Sequence, residues 1–150
     1  QVFVHGGVSK KYSEWKLEEI NDRLRLELGK LSRKIFVDRL IAFLPDNPLW
    51  YRGMARENEQ EFKEELDTIF LNLNAKYMVT AHTPVIIIDK AHMNRFEGRV
   101  WIIDTGISRA YGGHPSALII EDYGKKFLLW PEDFRQENMH LLFMGVCHEI

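Results

Sequence analysis

A chain of 150 residues with 45% hydrophobic and 28% charged content is long enough to bury a core of its own, so one globular domain is expected. Its 20 basic and 22 acidic side chains leave a net charge of -2, which excludes a bulk electrostatic pull toward nucleic acid or anionic lipid. A single cysteine, Cys147, excludes an internal disulfide framework, and no apolar run reaches the roughly 20 residues that span a bilayer; a cytoplasmic protein with no nucleic-acid or membrane partner is the expectation.

The chain opens on a predicted strand, Val2-Phe3-Val4, that runs into a His5-Gly6-Gly7 turn. An apolar strand starting directly after Gln1 is expected to continue an earlier part of a longer chain. From Ser13, a candidate N-cap, to about Leu44 the pattern is helical, with Trp15, Ile20, Leu24, Leu28, Leu31, Ile35 and Phe36 on one stripe. Gly29 weakens its middle, so the stretch reads as one long helix or two shorter ones, ended by Pro45-Asp46-Asn47-Pro48. Asn58 followed by Glu61 forms a capping pattern, and Phe62, Leu66, Ile69, Phe70 and Leu73 predict a second helix to about Asn74.

Short apolar runs then follow at sheet-like spacing: Tyr77 to Thr80, Val85 to Ile88, Val100 to Ile103, Ala117 to Ile120 and Phe127 to Trp130. Asp122-Tyr123-Gly124-Lys125 predicts a hairpin turn between the last two. Residues 131–150 are ambiguous, with His140 to Val146 suiting either an edge strand or a packed helix. The fold class is α/β: a mixed sheet, with a helical insert at about residues 8–74 against one side of it.

Three segments place polar groups directly after a predicted strand, where open sheets present side chains to ligands. They are Val4-His5-Gly6-Gly7, Val79-Thr80-Ala81-His82-Thr83-Pro84 and Ile103-Asp104-Thr105-Gly106. Each alone is weak, since a histidine ending a strand is commonly a hydrogen-bonded structural residue. In order, however, His5-Gly6-Gly7, Trp50-Tyr51-Arg52-Gly53, Ala81-His82-Thr83-Pro84 and Asp104-Thr105-Gly106 resemble the phosphoprotein-phosphatase branch of the calcineurin-like metallophosphoesterases over nearly the whole chain. The run from Asp104 to Gly113 looks most like the Shewanella-like phosphatases of bacteria and plants and, more distantly, the diadenosine tetraphosphate hydrolases.

The resemblance implies two divalent metal ions, Mn, Fe or Zn, bridged by hydroxide, with His5 and His82 as ligands of the second ion. Neutral imidazoles suit these metals, and Gly6-Gly7 lets the backbone turn close by without a Cβ clash. Arg52 matches the family's phosphate-gripping arginine, whose planar guanidinium suits two phosphate oxygens at once; its other reading is a surface arginine beside two aromatics. Arg109 and Tyr111 are candidates for the mouth of the site, although a glycine-rich loop is also needed simply to turn the chain. His114, His92, His140 and His148 read as ordinary surface histidines. Asp104 reads as a loop-holding acceptor of backbone amides rather than a ligand.

The family's Asp-x-His, Gly-Asp-x-x-Asp-Arg-Gly and Gly-Asn-His-Glu/Asp motifs do not occur in the chain. They would supply the first metal's ligands, the bridging Asp, the Asn, a second arginine and the general acid. The chain is therefore expected to be the C-terminal half of a metallophosphoesterase β-sandwich, inactive by itself and completed by an N-terminal half. The expected activity is hydrolysis of a phosphate ester on a phosphorylated substrate, in first place a protein. The alternative is an inactive remnant that works as a binding or interaction module.

Overall fold

The computed structural model describes residues 1–30, 40–85, 90–113, 115–121 and 126–130. The predicted hairpin turn at 122–125, His114, residues 86–89 and the ambiguous segment 131–150 lie outside the described residues.

A four-stranded mixed sheet organises the chain. Its strands are β1 (Val2–Val4), β2 (Met78–Thr80), β3 (Asn94–Arg95) and β4 (Val100–Ile102), in the spatial order β1-β2-β4-β3. Strands β1, β2 and β4 are parallel, with Val4 beside Thr80 and Thr80 beside Ile102, while β3 turns back antiparallel on β4. Every residue of β2 and β4 is buried, as expected of parallel strands covered on both faces. The shared register brings the carboxyl ends of three strands to one rim, where Ala81 N–H donates to His5 O at 2.8 Å and Ile103 N–H to Thr80 O at 2.7 Å.

Between β1 and β2 run the helices: α1 (Lys10–Ser13), α2 (Leu17–Lys30), a 3-10 turn at Ile41–Phe43, α3 (Gly53–Arg56) and α4 (Glu59–Asn72). The core unites Val2 of β1, Val8, Tyr12 of α1, Ile20 and Leu24 of α2, Phe62, Leu66, Ile69 and Phe70 of α4, and Met78, Val100 and Ile102 of the sheet. The parallel β1–β2 pair requires such a crossover, and the helices supply its apolar faces. A short helix α5 (Lys90–Met93) precedes β3, and β5 (Ala117–Glu121) pairs antiparallel with β6 (Lys126–Trp130) as a separate two-stranded sheet.

Helix α4 matches its sequence pattern closely. Asn58 Oδ1 accepts from Gln60 N–H at 2.9 Å and Glu61 N–H at 3.3 Å, a side-chain N-cap that satisfies two otherwise orphaned donors. The helix ends at Asn72, and the chain leaves through Asn74 at φ 47°.

The region before it departs from the pattern in three respects. Ser13 is the last residue of α1 rather than an N-cap, because its hydroxyl donates backward to Lys10 O at 2.7 Å and receives Asn72 Nδ2 at 3.0 Å. The break at 14–16 follows, and α2 restarts with Glu19 Oε2 reaching back to Lys16 N–H at 3.3 Å. On α2 the inward stripe runs Ile20, Leu24, Glu27, leaving Leu28 44% exposed and Trp15 37% exposed at its border. Leu31, Ile35 and Phe36 of the expected stripe lie outside the described residues. Val85, the expected start of a strand, is irregular, and its N–H donates to Asp104 O at 2.7 Å. Among the described residues no helix is long and apolar enough to cross a membrane.

Candidate functional site at the strand ends

The rim formed by the ends of β1, β2 and β4 gathers most of the residues singled out in the sequence. The ring centroids of His5 and His82 lie 4.9 Å apart with their planes 53° inclined. Adjacency of the parallel strands causes this: Val4 and Thr80 are register partners, so the residues that follow them leave the sheet side by side.

His82 sits in an unusual backbone. Its φ is 62°, and Thr83 N–H donates to Ala81 O at 2.6 Å across it, the hydrogen-bond pattern of a γ-turn with a left-handed central residue. Such a conformation persists in a non-glycine residue only where its surroundings hold it. Here Arg52 holds it: Nη1 donates to His82 O at 3.1 Å and to Thr83 Oγ1 at 3.3 Å. Among the described residues the guanidinium's remaining N–H groups meet no acceptor.

The His82 side chain is packed on one side by Trp50, whose ring stands edge-on at 5.0 Å and 83°. His82 Nε2 is buried without a hydrogen-bond partner among the described residues, as is Thr80 Oγ1 two residues earlier. Burial above all, then the positive charges of Arg52 and His5, hold the His82 imidazole below its ordinary pKa, with Asp104 opposing them. The ring is therefore neutral near pH 7, the form that ligates metal.

Two glycine positions show how closely the chain approaches itself. A Cβ on Gly6 would lie 2.9 Å from Leu49 O, because Gly6 and Gly7 N–H both donate to Pro48 O, at 2.7 and 3.3 Å. This clamp docks the loop carrying Trp50 and Arg52 onto the His5 turn. On the far side Asp104 Oδ1 accepts from Gly106 N–H at 3.0 Å, so Asp104 holds a turn as its sequence context implied. Gly106 takes φ 56°, and the site of its missing Cβ faces Tyr111 Cβ and, at 3.6 Å, Pro84. Tyr111 is thus brought to the segment that follows His82, with 60% of its surface exposed. Arg109 is exposed on the same loop. His92 is exposed.

The paired His5 and His82 rings, with His82 Nε2 buried and orphaned, fit two ligands of one metal. They do not make a complete shell: among the described residues no group of three or more His, Cys, Asp or Glu side chains converges. Nothing in the sequence Ala81-His82-Thr83-Pro84 marks a positive φ at a histidine, and nothing local marks the Trp50 ring, 32 residues earlier, that stands against it.

No family model matches the chain. It is 32% identical over 131 residues to Shewanella-like protein phosphatase 1 of Plasmodium berghei, a match covering 81% of this chain and 35% of that protein. An uncharacterized protein of Schizosaccharomyces pombe is 34% identical over 125 residues, covering 79% of this chain and 35% of its own length. In structure, the cold-active protein-tyrosine phosphatase of a psychrophilic Shewanella superposes with a TM-score of 0.67 at 26% identity, covering 90% of this chain and 39% of that one. A second crystal structure of a cold-active protein tyrosine phosphatase gives 0.66, also at 26% identity, over 90% of this chain and 38% of its own.

The chain is related to protein phosphatases. It spans little more than a third of these relatives' lengths. The kinship reaches the fold as well as the sequence, because the mixed sheet and its flanking helices are what superpose on the phosphatase structures.

Proposed function

We propose that this chain is the C-terminal half of a calcineurin-like metallophosphoesterase domain, with its helical insert at about residues 8–74, and that the full-length protein hydrolyses phosphate esters on proteins. The observation that carries this reading is the juxtaposition of His5, His82 and Arg52 on one rim, with His82 Nε2 buried and unpartnered. A related sequence named as a protein phosphatase and related structures named as tyrosine phosphatases support the substrate class.

On this reading His5 and His82 hold one of two divalent ions, Mn, Fe or Zn, and the other ligands come from a segment outside the chain. Bound there, a metal pair would supply a hydroxide nucleophile and neutralise charge on the phosphoryl group. The chain's own residues orient the substrate. Arg52, already fixed through Nη1, turns its free N–H groups to two phosphoryl oxygens and stabilises the charge that spreads over them. Burial beside Trp50 keeps the His82 ring neutral and its donor nitrogen free. Tyr111 and Arg109 border the mouth, where they contact the part of the substrate beyond the phosphate. No covalent enzyme intermediate is needed.

The test compares residues 1–150 with the full-length protein. Metal analysis by mass spectrometry and turnover of p-nitrophenyl phosphate with added Mn are the readouts. Two ions and turnover are expected only in the full-length protein. Comparable turnover by the 150-residue chain would show that its own residues complete the site, and the half-site reading would fail.

A further inference from the structure

Glu27 is a carboxylate only 2% exposed, on the inward face of α2 where Ile20 and Leu24 pack into the core. Burying a charge there is costly, and a leucine would cost less. Its oxygens are engaged separately: Oε1 accepts from Arg23 Nε at 2.5 Å, and Oε2 from Ala42 N–H at 2.9 Å. Ala42, 1% exposed in the 3-10 turn, passes the constraint on, because its carbonyl accepts from Trp50 Nε1–H at 2.7 Å. The Trp50 ring then stands against His82 at 5.0 Å, and Arg52 follows two residues later.

We propose that Glu27 is a positioning residue for the strand-end site, acting through Ala42 and Trp50 to set the Trp50 ring against His82 and the loop that carries Arg52. The rest of that loop is fixed from the sheet side. Buried Asn47 accepts through its carbonyl from Trp50 and Tyr51 N–H at 3.0 and 2.9 Å, and Pro48 O binds the Gly6-Gly7 turn. The indole, 44% exposed on the outer side, has the Ala42 carbonyl as its anchor. The carboxylate gives a fixed acceptor to the Ala42 amide, in a 3-10 turn whose own bonds run from Phe43 N–H to Leu40 O and from Leu44 N–H to Ile41 O. The inserted helix α2 thereby governs the geometry of a rim to which it contributes no ligand.

Two variants separate charge from reach, in the full-length protein. Glu27→Asp keeps the charge but draws the acceptor back by one methylene, while Glu27→Gln keeps an oxygen at full length. The first readout is the Trp50 indole N–H resonance in nitrogen-15 spectra, assigned by its loss in Trp50→Phe. It is expected to move in Glu27→Asp and to stay near its original position in Glu27→Gln. An unmoved resonance in a folded Glu27→Asp protein, or equal movement in both variants, overturns the proposal.

The second readout rests on the reading of Arg52 as a phosphate grip. Affinity for inorganic phosphate, measured by calorimetry, should weaken about fivefold in Glu27→Asp and less than twofold in Glu27→Gln. If the unmodified protein binds no phosphate while the indole responds as expected, the positioning role is supported and the phosphate reading fails. Should Glu27→Asp not fold, the relay is read from its other end: Trp50→Phe should accelerate hydrogen exchange at the Ala42 amide. Unchanged exchange there overturns the proposal.

Discussion

The two ends of the four-stranded sheet use their polar groups in opposite ways. At the amino end of β4, Arg95 engages all three of its nitrogens: Nε meets Glu59 Oε1 at 3.1 Å, Nη1 the Met54 carbonyl at 2.9 Å and Nη2 the Glu57 carbonyl at 2.6 Å. Glu59 spends its second oxygen on Phe96 N–H at 2.8 Å, and Arg99 pairs with Asp67 over the Phe70 ring. At the carboxyl ends, by contrast, His82 Nε2 and Thr80 Oγ1 are buried without partners, and Arg52 leaves N–H groups free among the described residues. Positive φ occurs at both ends with different meaning. Phe96, Glu97 and Gly98 take it in a tight hairpin turn, where the reversal requires it, while His82 takes it at a single residue beside the candidate site. One end uses its polar groups in hydrogen bonds that tie segments together; the other keeps two buried polar atoms without a partner among the described residues.

The comparison breaks most visibly at His82. In the full-length protein, His82→Ala is expected to lower metal content toward one ion per chain and activity by orders of magnitude. His82→Gly serves as a control, because glycine takes φ near 60° without strain and separates loss of the imidazole from loss of the turn. Metal analysis of both variants decides: two full ions in each would mean that His82 is a structural histidine.

Arg52→Ala should leave the metals in place and cost about 2–4 kcal/mol in kcat/KM, the range for losing a charge-assisted contact that strengthens in the transition state. Lys at this position should restore only part of the loss, because an ammonium cannot make the two-pronged contact. Steady-state kinetics with p-nitrophenyl phosphate measure it, and an unchanged kcat/KM would return Arg52 to the role of a surface arginine that pins the His82 turn.

Much of this contrast was legible in the sequence on one side only. The apolar strand runs and the order His-Gly-Gly, Arg, His, Asp-Thr-Gly pointed to the candidate rim, because strand ends and glycine turns are local patterns. The α4 cap was legible for the same reason, with Asn58 and its two acceptor bonds lying within four residues. Glu27 was not, since its partner Ala42 is 15 residues away and a lone glutamate on a helix reads as solvated. The break after Ser13 was hidden too: the hydroxyl that suits an N-cap is captured by Lys10 O and Asn72, and that outcome depends on α4 packing beside α1. The Arg95 clamp joins segments 36 to 41 residues apart, so neither its basic nor its acidic partner carries a signal in the local pattern.

That clamp supplies the smallest effect and the sharpest control. Arg95, with its side chain 14% exposed, binds two backbone carbonyls at the junction of α3 and α4 besides the Glu59 carboxylate, and its guanidinium lies 5.0 Å from the Phe96 ring centroid. Truncation in Arg95→Ala strands those acceptors, although Glu59, partly exposed, regains water. Hydrogen bonds to charged groups contribute about 1.5–3 kcal/mol, so the denaturation midpoint should fall by that much stability with the m-value unchanged. The kcat/KM of the folded fraction should stay within about twofold, because among the described residues the Arg95 hydrogen bonds go to Met54, Glu57 and Glu59, none of them at the carboxyl ends of the strands. A large kinetic loss in Arg95→Ala at full metal content would mean that the two ends of the sheet are coupled, and that the division between them is drawn in the wrong place.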